Sequence, residues 1–442
     1  MQHKCVARQF FLYIKWASEI GAGKLSQDEI TANVDFIMRI VQVSVGSVRM
    51  PPKEGSAPLQ VIFNTSKHLA RLGHQVVILD RRYTKDDPPV EHIDGVEIVR
   101  LRAPQVPSPK SPAFIRFILA ELNAILFAIA VSCHVRKDRS KVDIIHLHLT
   151  SIGLVVITLN RAIRGKTFYT CHLSQWTFVT SGLRFSERIH LLLDAYLMRR
   201  VRKVIALSDA AKESFISFGK AKRDNIVVLP NGVDANFFNP NTPSNEITNR
   251  YSLEGKSTVL FVGRLAKIKG VDYLLKAVDI IVNKLRYKDT IFILVGPHTF
   301  AGVDNPLGMD EILSYIEQHQ LGKNIILTGS LPLEEVRVLY AASDIFVLPS
   351  LAEGDPLVTL EAMASGKPVI GTRVGGIPHH ICDGWNGFLI DPANEQQLAD
   401  KIKYLIDNPE ERKRMGANSR KYAEEEFDWK KVAEKLLAVY QS

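Results

Sequence analysis

The sequence predicts an α/β protein made of two doubly wound domains, on three observations. Short apolar runs alternate with amphipathic stretches of helical period. One polar segment interrupts that alternation near the middle. The length of 442 residues exceeds what one compact core holds.

In the first half, residues 39–45 (RIVQVSV), 75–80, 142–148, 166–172 and 203–208 read as buried strands. Leu59, Ile62, Phe63 and Leu69 form a helical stripe between the first two, and Gly73 supplies its stop. Residues 237–250 (FFNPNTPSNEITNR) are polar, rich in Asn and Pro, and read as a linker. A second series of strands follows at 257–263, 290–296, 324–329, 344–350, 368–372 and 387–391. Helices covering both faces of a parallel sheet leave the carboxyl ends of its strands as the place for ligands. Two such domains facing each other predict a deep interdomain cleft. The expected domains are 38–240 and 248–425. Residues 1–37 are set apart as an extension, because Lys15 breaks a weak signal-like apolar opening and Met38 starts the first strand.

Charge and composition narrow the function. A formal net charge of +9 favours anionic partners. No basic run interleaved with aromatics and no zinc or helix-turn-helix signature is present, which argues against nucleic acid. Cys5, Cys133, Cys171 and Cys382 are far apart and form no CxxC pair, so reduced thiols are expected rather than a disulfide frame or a zinc site. The most apolar segment, Phe114–Lys137, is interrupted by Arg116 and Glu121, and its uncharged part falls short of the roughly 20 residues a span needs. It reads as a core helix or as an interfacial helix leaning on lipid with Arg116, Arg136 and Lys137. Arg199, Arg200, Arg202 and Lys203 read as a solvated helix end.

Two segments of the second half carry candidate chemistry. The loop VGRLAKIKG, residues 262–270, joins a strand to a helix with Val271, Leu274, Leu275 and Val278 on one face. Arg264 and Lys269 therefore lie at the ligand end of the sheet. A guanidinium that binds two oxygens at once and an ammonium point charge suit a diphosphate. The second segment is LAEGDPLVTLEAMASGKPVIGTRVGG, residues 351–376. Asp355 and Pro356 read as the N-cap and first residue of a helix that runs to Ala364 and stops near Gly366. Its first amides favour an anion. Glu353 precedes the helix and Glu361 lies inside it, so the two carboxylates can accept hydroxyls from two parts of one ligand, such as a hexose and a ribose joined by a diphosphate. His146 and His148 alternate on a strand, are expected on opposite faces, and read as structural. His172 ends a strand at the ligand side and reads as a site residue or as a satisfied core histidine.

The segments LPNGVDANFF (229–238), FVGRLAKIKG (261–270), FVLPSLAEGDPLVTLEAMASGKPVIGTRVGG (346–376) and DGWNGFLI (383–390) occur in one order. In them the chain resembles the family 4 retaining glycosyltransferases of the GT-B fold, from Met38 onward. The resemblance implies a nucleotide-diphospho-sugar donor bound mainly by the second domain, as substrate, with no cofactor and no metal. It implies that Arg264 and Lys269 hold the diphosphate, and that Glu353 contacts the transferred sugar and Glu361 the ribose. Gly263 and the backbone of Gly354, Asp355, Pro356, Leu357 and Val358 would lie near the sugar and phosphates. His172 would contact the transferring sugar. Gly55 stands in the family's glycine-rich loop, where Glu54 and Ser56 replace the usual adjacent glycines. Residues 426–442 would form a helix crossing back to the first domain. The implied acceptor is a hydroxyl of a glycan, a lipid-linked molecule or a small molecule. The implied setting is the cytoplasm, with peripheral contact at the inner membrane face as one reading. A nucleotide-sugar epimerase and a non-catalytic sugar-nucleotide-binding subunit stay open as alternatives. A dehydrogenase does not fit, because no GxGxxG follows the first strand.

Overall fold

The computed structural model describes residues 37–52, 57–106, 113–172, 185–297 and 308–442. Two compact units divide them. One holds the described residues up to Asn231 together with Trp429–Ser442; the other holds Gly232–Asp428. The polar stretch 237–250 is not a free linker. Phe238 and Ile247 are buried in the core of the second unit, and Asn245–Arg250 is a helix.

The first unit is built on an eight-stranded sheet of order β3-β4-β2-β1-β5-β6-β7-β8. Its strands are β1 Arg39–Val43, β2 Gln75–Arg81, β3 Val90–Ile93, β4 Val96–Leu101, β5 Ile144–Leu147, β6 Thr167–Thr170, β7 Lys203–Ala206 and β8 Ile226–Val228. All neighbours pair in parallel except β3 with β4. Apolar runs with little alternation make such strands, because helices cover both faces. Helices α1 Ala57–Arg71, α2 Ala113–Asp138, α3 Thr150–Leu159 and α4 Phe185–Met198 belong to this unit. α2 is long and apolar enough to cross a membrane, with mean hydropathy 1.9 over Ile118–Asp138. It nevertheless buries Phe127, Ala128, Val131 and Val135 in the core of this unit and packs on α3.

The second unit carries a six-stranded parallel sheet of order β11-β10-β9-β12-β13-β14. The strands are β9 Ser257–Val262, β10 Thr290–Val295, β11 Ile325–Gly329, β12 Ile345–Leu348, β13 Val369–Thr372 and β14 Gly387–Ile390. The helices that shape its ligand edge are α5 Val271–Asp279, α6 Leu357–Ala364 and α7 Ile377–His380. The order of strands reverses at β9, which pairs with β10 on one side and β12 on the other. That switch point is where loops part and a ligand can enter.

The chain ends in α8, Trp429–Gln441, which lies against α1 of the first unit. Trp429, Val432, Ala433, Leu436, Val439 and Tyr440 are buried, as a helical stripe of period 3.6 requires. Among the cysteines, Cys133 and Cys171 are free, whereas Cys382 is disulfide-bonded, so the expectation of reduced thiols fails there. Leu436 is 2% exposed. Leu436→Ala is expected to lower the urea midpoint of unfolding, at a cost of about 2–5 kcal/mol.

Candidate active site

Arg264 and Lys269 follow β9, and Glu353 follows β12. The two strands are neighbours, so their carboxyl-end loops meet. Lys269 Nζ lies 2.7 and 2.8 Å from the two oxygens of Glu353. Ser350 Oγ donates to the same carboxylate at 2.7 Å. The Leu351 N–H donates to the Ile268 carbonyl at 2.8 Å, which ties the loops together by backbone as well. Burial pushes the Arg264 pKa down, and the Glu353 carboxylate opposes that shift. Arg264 and Lys269 are thus two cations beside one carboxylate at the edge of a low-dielectric core, where charge is felt strongly.

Two glycines permit this approach. Gly270 sits at φ +69°, and a Cβ there would run into the Pro349 carbonyl. Gly375 sits at φ +53°, and a Cβ there would run into the Glu353 carbonyl. The neighbouring Gly376 N–H donates to the Gly354 carbonyl at 2.7 Å, so residues 353–355 are braced from beneath.

The expected cap at Asp355 is corrected. Pro356 is the N-cap of α6, Leu357 is the first helical residue, and no side chain caps the end. The Asp355 side chain is fully buried and turned to His380 on α7, with Oδ1 2.9 Å from Nε2. His380 Nδ1 lies 2.5 Å from Thr359 Oγ1. Thr359 of α6 is thus tied to His380 of α7, whose other ring nitrogen lies beside the Asp355 carboxylate, and that carboxylate does not face solvent. Pro356 has no N–H, so the amides that α6 can offer an anion come from Gly354, Asp355, Leu357 and Val358. The helix stops as expected. Gly366 at φ +72° and Lys367 donate back to Met363 and Ala362, which is a Schellman ending.

Glu361 lies on α6, 7% exposed. Tyr340 Oη donates to its Oε2 at 3.0 Å. Burial pushes the Glu361 pKa up to about 7, and the tyrosine hydrogen bond only partly opposes the shift. Tyr340 and His380 carry no sequence signal for these tasks; each becomes visible only through tertiary proximity.

The remaining site candidates belong to the first unit. Gly55 lies outside the described residues. The loop that leads to it is anchored by Asp80, which accepts from Ser44 Oγ at 2.6 Å and from the Met50 N–H at 2.9 Å. His172 follows β6, is half-buried, and touches His148 across 3.0 Å between Nε2 and Nδ1. The expectation that His146 and His148 face opposite ways is also corrected: their ring centroids are 4.2 Å apart. Residues two apart along a strand share a face, so His148, just beyond the end of β5 at Leu147, keeps to the side of His146. Among the described residues no group of three or more His, Cys, Asp or Glu side chains could hold a metal.

Known families match both halves. Residues 60–237 fit Glycosyltransferase Family 4, and residues 244–422 fit Glycosyl transferases group 1. The chain belongs to this glycosyltransferase family. Its fold is GT-B, and membership carries transfer of a glycosyl group from a nucleotide-sugar donor. The chain is 33% identical over 255 residues to spore coat protein SA of Bacillus subtilis, covering 54% of this chain and 65% of that protein, just under two thirds of its length. It is 28% identical over 386 residues to a D-inositol 3-phosphate glycosyltransferase of Arthrobacter sp., covering 85% and 87%. Among solved structures, sucrose-phosphate synthase of Thermosynechococcus elongatus superposes with a TM-score of 0.74 at 22% identity, over 91% of this chain and 98% of the other. Anabaena HepE in complex with UDP-glucose superposes with a TM-score of 0.68 at 19% identity, over 90% and 98%.

The buried Glu361 of this glycosyltransferase has a consequence for stability. Its folded pKa, about 7, lies above the ordinary 4.5, so the folded state holds the proton more tightly. Stability from this group is complete below the unfolded value and is lost as pH rises through the folded value, a loss of about 3 kcal/mol. Glu361→Gln is expected to raise the melting temperature above wild type at pH values over about 7 and to leave it unchanged in acid near the ordinary carboxylate value, as calorimetry across pH would read.

Proposed function

We propose that this chain transfers a hexose from a nucleoside-diphospho-sugar to a hydroxyl acceptor with retention of anomeric configuration. The observation that carries the proposal is the Lys269–Glu353 contact beside Arg264, at the switch point of the second sheet. In this reading Arg264 and Lys269 take the diphosphate, and the amides of Gly354, Asp355, Leu357 and Val358 face it. Glu353 accepts from the transferred sugar, and Glu361 accepts from the ribose. His172 and Gly55 are assigned to the donor by the family resemblance alone. HepE supports a uridine diphosphate donor through the UDP-glucose in its complex.

The acceptor oxygen forms a bond to the anomeric carbon as the bond from that carbon to the diphosphate oxygen breaks. The departing phosphate takes the acceptor proton. No protein nucleophile is needed. Two cations and the start of α6 hold the charge that develops on the leaving group. A glycan, a lipid-linked molecule or a small molecule can supply the hydroxyl. Cell-surface glycan or glycolipid synthesis in the cytoplasm is the setting that nucleotide-sugar supply favours.

Peripheral contact with an anionic membrane is part of the same reading. Ile115, Ile118, Leu122, Ile125 and Ile129 repeat at helical spacing along α2 and are all exposed. Leu192 on α4 is 70% exposed, and α3 packs with both α2 and α4. Arg188 and Arg199, both exposed on or just beyond α4, supply the charge that phosphate headgroups attract.

Incubating the protein with a panel of nucleotide sugars and reading the products by NMR tests the activity and the anomeric outcome. Lys269→Ala and Arg264→Ala are expected to lower kcat/KM by about 100-fold. Inverted product would refute the stereochemical assignment, and wild-type rates in both variants would refute the site. Hydroxyls that donate to Glu361 favour its ionised form, so donor affinity is expected to rise as pH passes upward through about 7 and to lose that rise in Glu361→Gln. For the membrane face, sedimentation with phosphatidylglycerol vesicles is expected and with phosphatidylcholine vesicles is not. The double variant Ile125→Glu, Leu192→Glu should stay in the supernatant. A wild-type protein that ignores both vesicles would remove the lipid reading.

A further inference from the structure

One side chain, Arg420, joins three parts of the second unit. It belongs to the helix Pro409–Tyr422, and its side chain is 18% exposed. Its Nη1 donates to the Ala235 and Phe238 carbonyls, each at 2.7 Å, and to the Ala364 carbonyl at the end of α6. Its Nη2 lies 2.6 Å from Glu424 Oε1, in the stretch Ala423–Phe427 that winds as a π-helix. The Val233 N–H donates to the Phe427 carbonyl at 2.8 Å, so residues 233–238 and the π-helix are joined by backbone as well. Gly416, one turn before Arg420, lets the helix come this close: a Cβ there would lie 2.2 Å from the Gly366 carbonyl oxygen.

The end of α6 shows what Arg420 supplies. The last four carbonyls of a helix have no partner inside it. In α6 they belong to Glu361, Ala362, Met363 and Ala364. The Ser365 N–H donates to Glu361, the Lys367 N–H to Ala362 and the Gly366 N–H to Met363. The fourth carbonyl, that of Ala364, accepts from Arg420. A cation at this end also suits the negative end of the helix dipole. The Ala235 and Phe238 carbonyls belong to a turn closed by Asp234, whose Oδ1 accepts from the Asn236 and Phe237 N–H groups at 3.0 and 2.9 Å. Carbonyls only accept and a guanidinium only donates, in a rigid fork, so the meeting has one geometry. The segment LPNGVDANFF, marked in the sequence as a motif, thus provides the far anchor of α6.

We propose that Arg420 is a positioning residue for the donor: it locks the carboxyl end of α6 to the turn at 234–238 and so sets where the helix holds Glu361 and its leading amides. The inference rests on the reading of α6 as the donor helix, but the lock can be measured without a ligand. The carbonyls and the Glu424 carboxylate are served by two different nitrogens of one side chain, and a lysine has only one. A helix held in place before binding has less to lose in ordering when a nucleotide arrives.

Calorimetric titration of the whole protein with UDP, ADP and GDP tests the donor role, with Lys269→Ala for comparison. In folded Arg420→Gln and Arg420→Lys, the nucleotide that wild type binds most tightly is expected to bind about 10-fold more weakly. Amide hydrogen exchange without nucleotide tests the lock. In both variants exchange is expected to quicken together at Gly366 and Lys367, which close α6, and at Val233 and Phe238, while β9 keeps its protection. Folded variants with wild-type affinity, or variants in which only one of the two stretches loosens, would overturn the proposal. Weaker binding in Lys269→Ala but not in the Arg420 variants would leave the donor site standing and remove Arg420 from it. A wild-type protein that binds none of the three nucleotides would remove the donor reading and the donor role of Arg420 with it, and the exchange rates would then decide the lock alone.

Discussion

Lys269 and Glu353 are 84 residues apart in the chain and share two hydrogen bonds. The site candidates of the second unit are organised around that contact. It exists because β9 and β12 are neighbours at the point where the strand order reverses, so the loops that leave them converge. Gly270 and Gly375 put no Cβ against the Pro349 and Glu353 carbonyls, which lets the loops approach. Ser350 holds the carboxylate from a third direction. An ammonium and a carboxylate matched in this way cost little to keep at the edge of a core, whereas either alone would be expensive. The pair keeps both groups in place.

The neighbouring groups are arranged with less regard for stability. Glu361 is kept from water and accepts a hydrogen bond from the Tyr340 hydroxyl, but burial outweighs that bond, so its ionisation works against the folded state. A carboxylate in that condition gains most from a ligand that brings hydroxyl donors. Asp355 shows the opposite solution. It is buried as deeply, but it lies beside an imidazole that ties α7 to Thr359 of α6. Two acids six positions apart on one motif thus take different roles, set by what each one faces.

Much of the fold could be read from the sequence. All six strands of the second sheet are announced by apolar runs bounded by glycine, proline or charge. In the first sheet β3, β4 and β8 escape notice. β3 is a short edge strand with exposed and half-buried positions in alternation, β4 carries Glu97 and Arg100 among its apolar residues, and β8 has three residues. Arg264, Lys269, Glu353 and Glu361 stand out by motif and spacing. Their partners do not: Tyr340 looks like one more core aromatic, and His380 like half of an unremarkable pair with His379. Tyr440 is nearly 300 residues from the His146 it meets, with 294 between them in numbering. No local pattern encodes such meetings, because they follow from which strands are adjacent and where the last helix lies.

The most direct measurement is a structure of the protein with a nucleoside diphosphate bound. Phosphate oxygens should lie within hydrogen-bonding distance of Lys269 Nζ and the Arg264 guanidinium, with the Lys269–Glu353 contact opened and the Glu353 carboxylate turned toward the sugar position. A diphosphate seated elsewhere, with Lys269 and Glu353 still joined, would contradict the account.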